Sequence, residues 1–173
     1  MKELQTERLL LRKLRADDAQ RIFDFWASDP AVTRYITWPP HESVEVTKAV
    51  MAGWLAEYEK PDCYRYGIEL KESGELIGMI DVVGYRGGCP VIGYCSGHPV
   101  WGHGYMTEAL RAVCPMLFDE GYETLLIEAI RENIGSNRVI QKAGFSFIES
   151  REGPLSSLKP EIVTLNFYRL DRA

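Results

Sequence analysis

A chain of 173 residues with 46% apolar and 26% charged residues holds enough material for one full core, and residues 1–173 read as a single domain. The net charge of −5 argues against nucleic acid as the main partner and suits a cationic one. No apolar run approaches a membrane span and the first residues form no hydrophobic signal segment, so no membrane role and a cytoplasmic location are expected.

In chain order, residues 7–14 read as a first strand. Asp17 or Asp18 caps a helix to about residue 27, with Ile22, Phe23 and Trp26 on one face. Residues 29–40 read as a loop that carries Tyr35 and Trp38. Ser43 caps a second helix to about residue 59, with Val46, Val50, Trp54 and Leu55 at roughly helical spacing. Strands two and three, 64–71 and 76–83, join at the turn Glu72-Ser73-Gly74. Residues 86–90 turn into strand four, 91–96, and Gly97 marks a bulge or a close backbone approach. Met106, Ala109, Leu110, Val113 and Leu117 form the buried face of the next helix, which Pro115 should kink or shorten. Residues 124–130, 145–150 and 162–170 read as strands five to seven. Strands one to four are antiparallel, and strand four, the helix and strand five make a parallel crossover.

Cys63, Cys89, Cys95 and Cys114 lack C-x-x-C spacing, and His41, His98 and His103 lie outside any metal pattern. Reduced thiols and no metal are expected.

The run Trp101-Gly102-His103-Gly104-Tyr105-Met106-Thr107 follows a strand and opens a helix. Free amides and the macrodipole at a helix start attract anions, and the glycines let backbone approach a phosphate without a Cβ. The loop lacks the Lys-Ser/Thr of a P-loop. It also misses the third glycine of the dinucleotide fingerprint, which would fall at Thr107. Downstream, Asn133-Ile134-Gly135-Ser136-Asn137-Arg138 begins a short helix capped at Asn133 or Ser136 and stopped at Gly144.

Together the two motifs resemble the GNAT superfamily of acyl-CoA-dependent N-acetyltransferases. The form W-G-x-G-Y-x-T-E-A with N-x-x-S-x-R-V-x-x-K-x-G-F is similar to the RimJ/RimL branch, which acetylates protein N-termini. The opening Thr6-Glu7-Arg8-Leu9 and the stretch from Asp29-Pro30 to Trp38-Pro39 share the likeness, which runs from about Leu4 to Leu170. The resemblance implies an α+β GNAT acyl-CoA N-acyltransferase fold. Its mixed sheet would have about seven strands, splayed between strands four and five and flanked by about four helices. The pantetheine of acetyl-CoA would thread that gap, with the pyrophosphate on Trp101, Gly102, His103, Gly104, Tyr105, Met106 and Thr107. Pro99 occupies the family's first Q/R position and has no N–H to offer.

Acetyl transfer from a thioester to an amine needs a deprotonated amine, a polarised carbonyl and a proton for the leaving thiolate. Backbone N–H groups around Tyr94, Cys95 and Ser96 would polarise the carbonyl. Ser136 matches the branch's serine near the cofactor sulfur, or is a plain cap. Asn133 and Asn137 are further cofactor contacts, Asn133 tying the loop to the pantetheine or to strand backbone. Asp81, Glu108 and Glu128 are the candidate bases, although a carboxylate at Glu108 also suits the helix's first turn. Tyr35 and Trp38 lie at the acceptor entrance the family uses, or cover the core. The expected acceptor is the N-terminal α-amine of a protein or peptide, to a monomeric or homodimeric enzyme. The alternatives are a small-amine acetyltransferase and a non-catalytic acyl-CoA-binding module.

Overall fold

The computed structural model describes Met1–Ala173. An eight-stranded sheet runs β1-β2-β3-β4-β5-β6-β8-β7. The strands are β1 (Leu4–Gln5), β2 (Leu9–Arg12), β3 (Arg65–Leu70), β4 (Leu76–Arg86), β5 (Cys89–Ser96), β6 (Thr124–Ile130), β7 (Ser146–Pro154) and β8 (Ile162–Asp171). The expected seven strands are all present. The eighth, β1, is two residues long and pairs only with β2. Every neighbouring pair is antiparallel except β5 with β6. β8 enters between β6 and β7, an order that local patterning does not encode.

The sheet is covered unevenly. On one face lie α4 (Tyr105–Asp119) and α5 (Ile134–Lys142), which share the larger core cluster with Ile80, Ile92, Leu125 and Ile127. On the other lie α1 (Ala19–Ile22), α2 (Pro30–Thr33) and α3 (Val44–Glu57), packed through Trp26, Val32 and Met51 on Leu76 and Met79. No helix is long and apolar enough to cross a membrane.

Several local expectations are corrected. The Asp18 carboxylate does not cap α1; it turns back to the Arg15 N–H at 2.7 Å and to buried Arg12 at 2.9 Å. The helix then widens into a π turn over Phe23–Ala27. The loop from Asp29 contains a further short helix, α2, with Asp29 as its cap and Pro30 at its first position. Ser43 does cap α3, but Val46 and Val50 are exposed and the buried positions are Thr47 and Met51. With apolar residues around much of its circumference, the spacing of α3 does not single out one face. α4 is not shortened by Pro115, which lies on its exposed side, where the unpaired carbonyl one turn back can meet water. At the end of α5, Gly144 is left-handed (φ 100°) and donates to Gln141 O, while Phe145 donates to Ile140 O. This is the paired Schellman closure, with Phe145 and Ile140 both in the core.

The parallel pair creates the central gap. β5 and β6 are joined only at Val91–Leu126 and Ile92–Ile127. From Gly93 and Glu128 onward the two strands part, leaving one edge of Gly93–Ser96 without a ladder.

Candidate active site

The loop between β5 and α4 is built around glycine. Gly97 is a close approach rather than a bulge: an added Cβ would lie 2.4 Å from the Phe25 ring and 2.7 Å from the Phe25 carbonyl oxygen. The register shift falls instead between Val82 and Gly84 of β4. The backbone groups near Tyr94–Ser96 are therefore freed by the parting of the strands, not by a bulge. Gly102 and Gly104 are both left-handed, at φ 79° and 81°. Gly104 is the N-cap of α4 and no side chain caps the helix. The helix begins with the Glu108 N–H on Gly104 O at 3.0 Å, so the amides of the first turn remain available to an anion.

Side chains stiffen this loop. Trp101 Nε1 donates to Ser96 O at 3.0 Å, and its ring lies against His98. His103 stacks on Tyr105, and the Arg8 guanidinium sits 4.4 Å above the Tyr105 ring. Arg8, Gly104, Thr107, Arg111 and Lys142 line a cleft of about 400 Å³ at the start of α4. Glu7 and Glu108 also line it, so its three cations outnumber two carboxylates, of which Glu108 pairs with Arg8. Met106 and Thr107 are 9% exposed, Met106 within the core and Thr107 at the edge of the cleft.

Ser136 lies in the first turn of α5. The cap is Asn133, whose Oδ1 accepts from the Ser136 N–H at 3.1 Å. That bond occupies Asn133 within its own helix and leaves the Ser136 hydroxyl free of capping duty. Across the gap, the Tyr94 hydroxyl lies 2.8 Å from Ser136 Oγ and 3.2 Å from Ser136 O. Burial pushes the Tyr94 phenol well above its ordinary value, only partly countered by the bond to Ser136, so it stays protonated. Tyr94 enters the sequence reading only through its backbone; its alternation with Ile92, which faces α4, is the signal that aims its side chain toward α5.

Asn137 is 8% exposed and fully engaged. Its Nδ2 donates to Ile130 O and Asn133 O at 2.9 and 2.7 Å. Its Oδ1 accepts from Asn166 and from the Tyr168 hydroxyl at 2.9 and 2.6 Å. This side chain fastens α5 to β6 and β8 and keeps no group for a cofactor.

The three carboxylates separate by environment. Glu108 Oε1 accepts from Thr6 Oγ1 and the Arg8 N–H at 2.6 and 2.9 Å, and Oε2 pairs with the Arg8 guanidinium at 2.7 Å. Burial raises its carboxyl, but these bonds outweigh it and hold the group below its ordinary value. Glu108 joins the start of β2 to α4, a poor arrangement for a base. Asp81 and Glu128 both face the α1–α3 side. Asp81 is in register with Gly93, and Glu128 is where the next β5–β6 pair would have formed. The two carboxylates thus flank Gly93. Asp81 is 8% exposed and bonded to Arg65 at 3.0 Å; burial pushes its carboxyl up against the pull of that partner. Arg65 also reaches Glu57 at 2.6 Å. Glu128 is one-third exposed and pairs with exposed Arg86 at 3.0 Å.

Cys95 is in register with Met79 on the same face, and burial drives its thiol far above the ordinary range, which disfavours a nucleophilic thiolate. Trp38 packs into the α1–α3 core and lies 4.8 Å from the His41 ring, so it covers the core. Tyr35 is half-buried beside Arg34. No cluster of three or more His, Cys, Asp or Glu side chains is arranged to hold a metal ion.

Residues 8–146 match the family described as acetyltransferase (GNAT) domain. The uncharacterized N-acetyltransferase p20 of Bacillus licheniformis is 30% identical over 152 residues, covering 84% of this chain and 83% of that protein. Two solved structures share the fold. RimL, a ribosomal L7/L12 alpha-N-protein acetyltransferase in complex with coenzyme A, aligns with TM-score 0.84 and 18% identity over 98% of each chain. The acetyltransferase of Salmonella typhimurium that modifies the N-terminal serine of ribosomal protein L7/L12 aligns with TM-score 0.84 and 17% identity, over 99% of this chain and 100% of that one. With its glycine loop, its parted strands and this match over most of its length, the chain belongs to the GNAT family of acetyltransferases.

Proposed function

We propose that this enzyme transfers an acetyl group from acetyl-CoA to the α-amine of a protein or peptide N-terminus in the cytoplasm. The observation that carries the reading is the gap where β5 leaves β6. Ser136 and Tyr94 meet on its α4–α5 side, and Glu128 and Asp81 lie on its α1–α3 side. A thioester entering from one face and an amine from the other would meet there.

The loop fits acetyl-CoA. Two left-handed glycines leave no Cβ in the way, the first amides of α4 are uncapped, and Arg111 and Lys142, beside an Arg8 already paired to Glu108, supply positive charge for a diphosphate. Bound acetyl-CoA supplies an activated thioester carbonyl and a thiol leaving group. The open edge of Gly93–Ser96 offers backbone N–H groups to that carbonyl. When the Tyr94 hydroxyl donates to Ser136 Oγ rather than to Ser136 O, the serine proton is free to serve a departing thiolate. Glu128 is the base this geometry favours: it stands at the opening with a path to solvent for the proton, whereas Asp81 is enclosed with Arg65.

An α-amine titrates near about 7.7–8.0, against about 10.4 for lysine, and yields its neutral form to a weak carboxylate base at smaller cost. The named activities of the two structural neighbours and the net charge of −5 agree with a cationic polypeptide acceptor. The test is acetyl-CoA-dependent thiol release with free N-terminal peptides, N-blocked lysine peptides and small amines at matched concentration. The reading expects the first class to react fastest; a small amine or a blocked peptide ahead of every free N-terminus would reverse it.

A further inference from the structure

The hairpin between β7 and β8 crosses the molecule to the loop that follows α2. Lys159 sits at the crossing, its side chain only 15% exposed. Its Nζ donates to Thr33 O, Arg34 O and Ile36 O at 2.9, 3.0 and 3.1 Å. An ammonium has three protons, and all three are used on carbonyls at and just past the end of α2, of which Thr33 O also accepts the Ile36 N–H. Ser156 adds a second tie, donating from Oγ to Thr37 O at 2.5 Å. The strap is itself folded. Lys159 N donates to Ser156 Oγ and Ser156 N to Lys159 O, each at 3.0 Å, and Leu155 N donates to Glu161 O at 3.1 Å.

The loop these bonds hold has few others. Between Tyr35 and Pro40 the only backbone bond is the local Ile36 N–H to Thr33 O at 3.3 Å, and the next anchor is His41 N on Ala27 O. Trp38 supplies the apolar contact. The nearest carboxylate to Lys159, Glu161, is 3.6 Å away and half-exposed, so neutral carbonyls in fixed positions hold the ammonium, rather than charge pairing alone.

We propose that Lys159 is a positioning residue for the acceptor. It clasps the β7–β8 strap to residues 33–37 and thereby fixes the loop that carries Tyr35 on the α1–α3 side of the sheet, where Trp38 anchors it to the core. The acceptor role rests on the acetyl-transfer reading above, in which the amine meets Glu128 on the α1–α3 side, the side this loop covers; the clasp itself rests only on the bonds. Lysine suits the position because three acceptors converge on a point, which the planar guanidinium fork of arginine does not match.

Lys159→Met keeps the stem and removes the donors. Kinetics use a short peptide with a free N-terminal serine and, in a parallel arm, spermidine. For whichever probe the wild type acetylates, the acceptor KM is expected to rise about tenfold, with kcat within about twofold and acetyl-CoA affinity by calorimetry unchanged. Lys159→Arg is expected to fall between the two. Hydrogen exchange of the amides at 34–38 and 41, which needs no acceptor, is expected to accelerate in Lys159→Met and, to a lesser degree, in Ser156→Ala. The Ser156 variant keeps the test open if Lys159→Met does not fold. Unchanged exchange overturns the clasp, and faster exchange with an unchanged acceptor KM overturns the positioning role. Failure of the wild type to acetylate either probe counts against the acetyl-transfer reading instead, and exchange then decides the clasp.

Discussion

The Tyr94 hydroxyl and the Ser136 hydroxyl lie 2.8 Å apart, joining β5 to α5 across the opening between β5 and β6. Neither is a base, and Tyr94 is held protonated by its burial. In the proposed reaction Ser136 delivers the proton and Tyr94 orients it. Ser136→Ala should lower kcat by about a hundredfold with little change in acetyl-CoA affinity. Tyr94→Phe should cost less, and the double variant should be no worse than Ser136→Ala, because the two act as one unit. Steady-state kinetics on folded variants, with calorimetry for affinity, reads both effects. Wild-type turnover in Ser136→Ala would reduce the pair to a structural tie.

Gly104 separates geometry from charge. An alanine Cβ there meets only Arg8 Nη2, at 3.6 Å, but must adopt φ 81°. Gly104→Ala should therefore cost about 1–2 kcal/mol in stability and weaken acetyl-CoA modestly. Gly104→Asp adds like charge beside the phosphates and should weaken binding far more than alanine does. Calorimetric affinities that are equal for the two variants would contradict a diphosphate at this loop.

Gly97 has no such tolerance. Its added Cβ would strike both the ring and the carbonyl of Phe25, in the π turn. Gly97→Ala should destabilise the fold by about 1–3 kcal/mol, read from urea unfolding.

Glu108 makes a pH-dependent contribution to stability. Its folded carboxyl lies below the ordinary value of 4.5, so its stabilisation is present above that pH and is lost as pH falls through the lower folded value. Glu108→Gln should cost about 1–3 kcal/mol at neutral pH, and the gap from wild type should close on acidification below about pH 4. Turnover in the variant should remain within a few-fold of wild type at neutral pH. A large loss of kcat with unchanged stability would restore Glu108 as a base.

The two carboxylates beside Gly93 should part in the same way. Glu128→Gln should lower kcat/KM by about a hundredfold with acetyl-CoA affinity unchanged. Asp81→Asn should leave kcat/KM within a few-fold and destabilise the fold by about 1–3 kcal/mol, less than a fully orphaned charge would cost, since Arg65 keeps Glu57 at 2.6 Å. The reverse pattern would move the base to Asp81.

Local chemistry made much of this fold readable in the sequence. Left-handed positions demand glycine at 102, 104 and 144, Asn133 can cap a helix four residues before Asn137 closes it onto β6, and the alternation over Thr124–Ile130 survives because one face is core. What stayed hidden depends on contacts distant in the chain. Glu108 is bound to Arg8, 100 residues away, and Asn137 to Asn166 and Tyr168, about thirty away. A strand's alternation gives relative facing only, so Asp81 and Glu128 could be assigned to a side only once the sheet's helices were in place. Asn137 reads as a motif residue at a ligand, yet every donor and acceptor it has is spent on the backbone and on β8.

The most direct measurement uses one peptide that carries both a free N-terminal serine and an internal lysine, incubated with acetyl-CoA and the protein. Mass spectrometry then locates the added acetyl group. The account predicts modification at the N-terminal nitrogen well ahead of the lysine, with one thiol released per acetyl transferred. Acetylation at lysine with the N-terminus left free would contradict it.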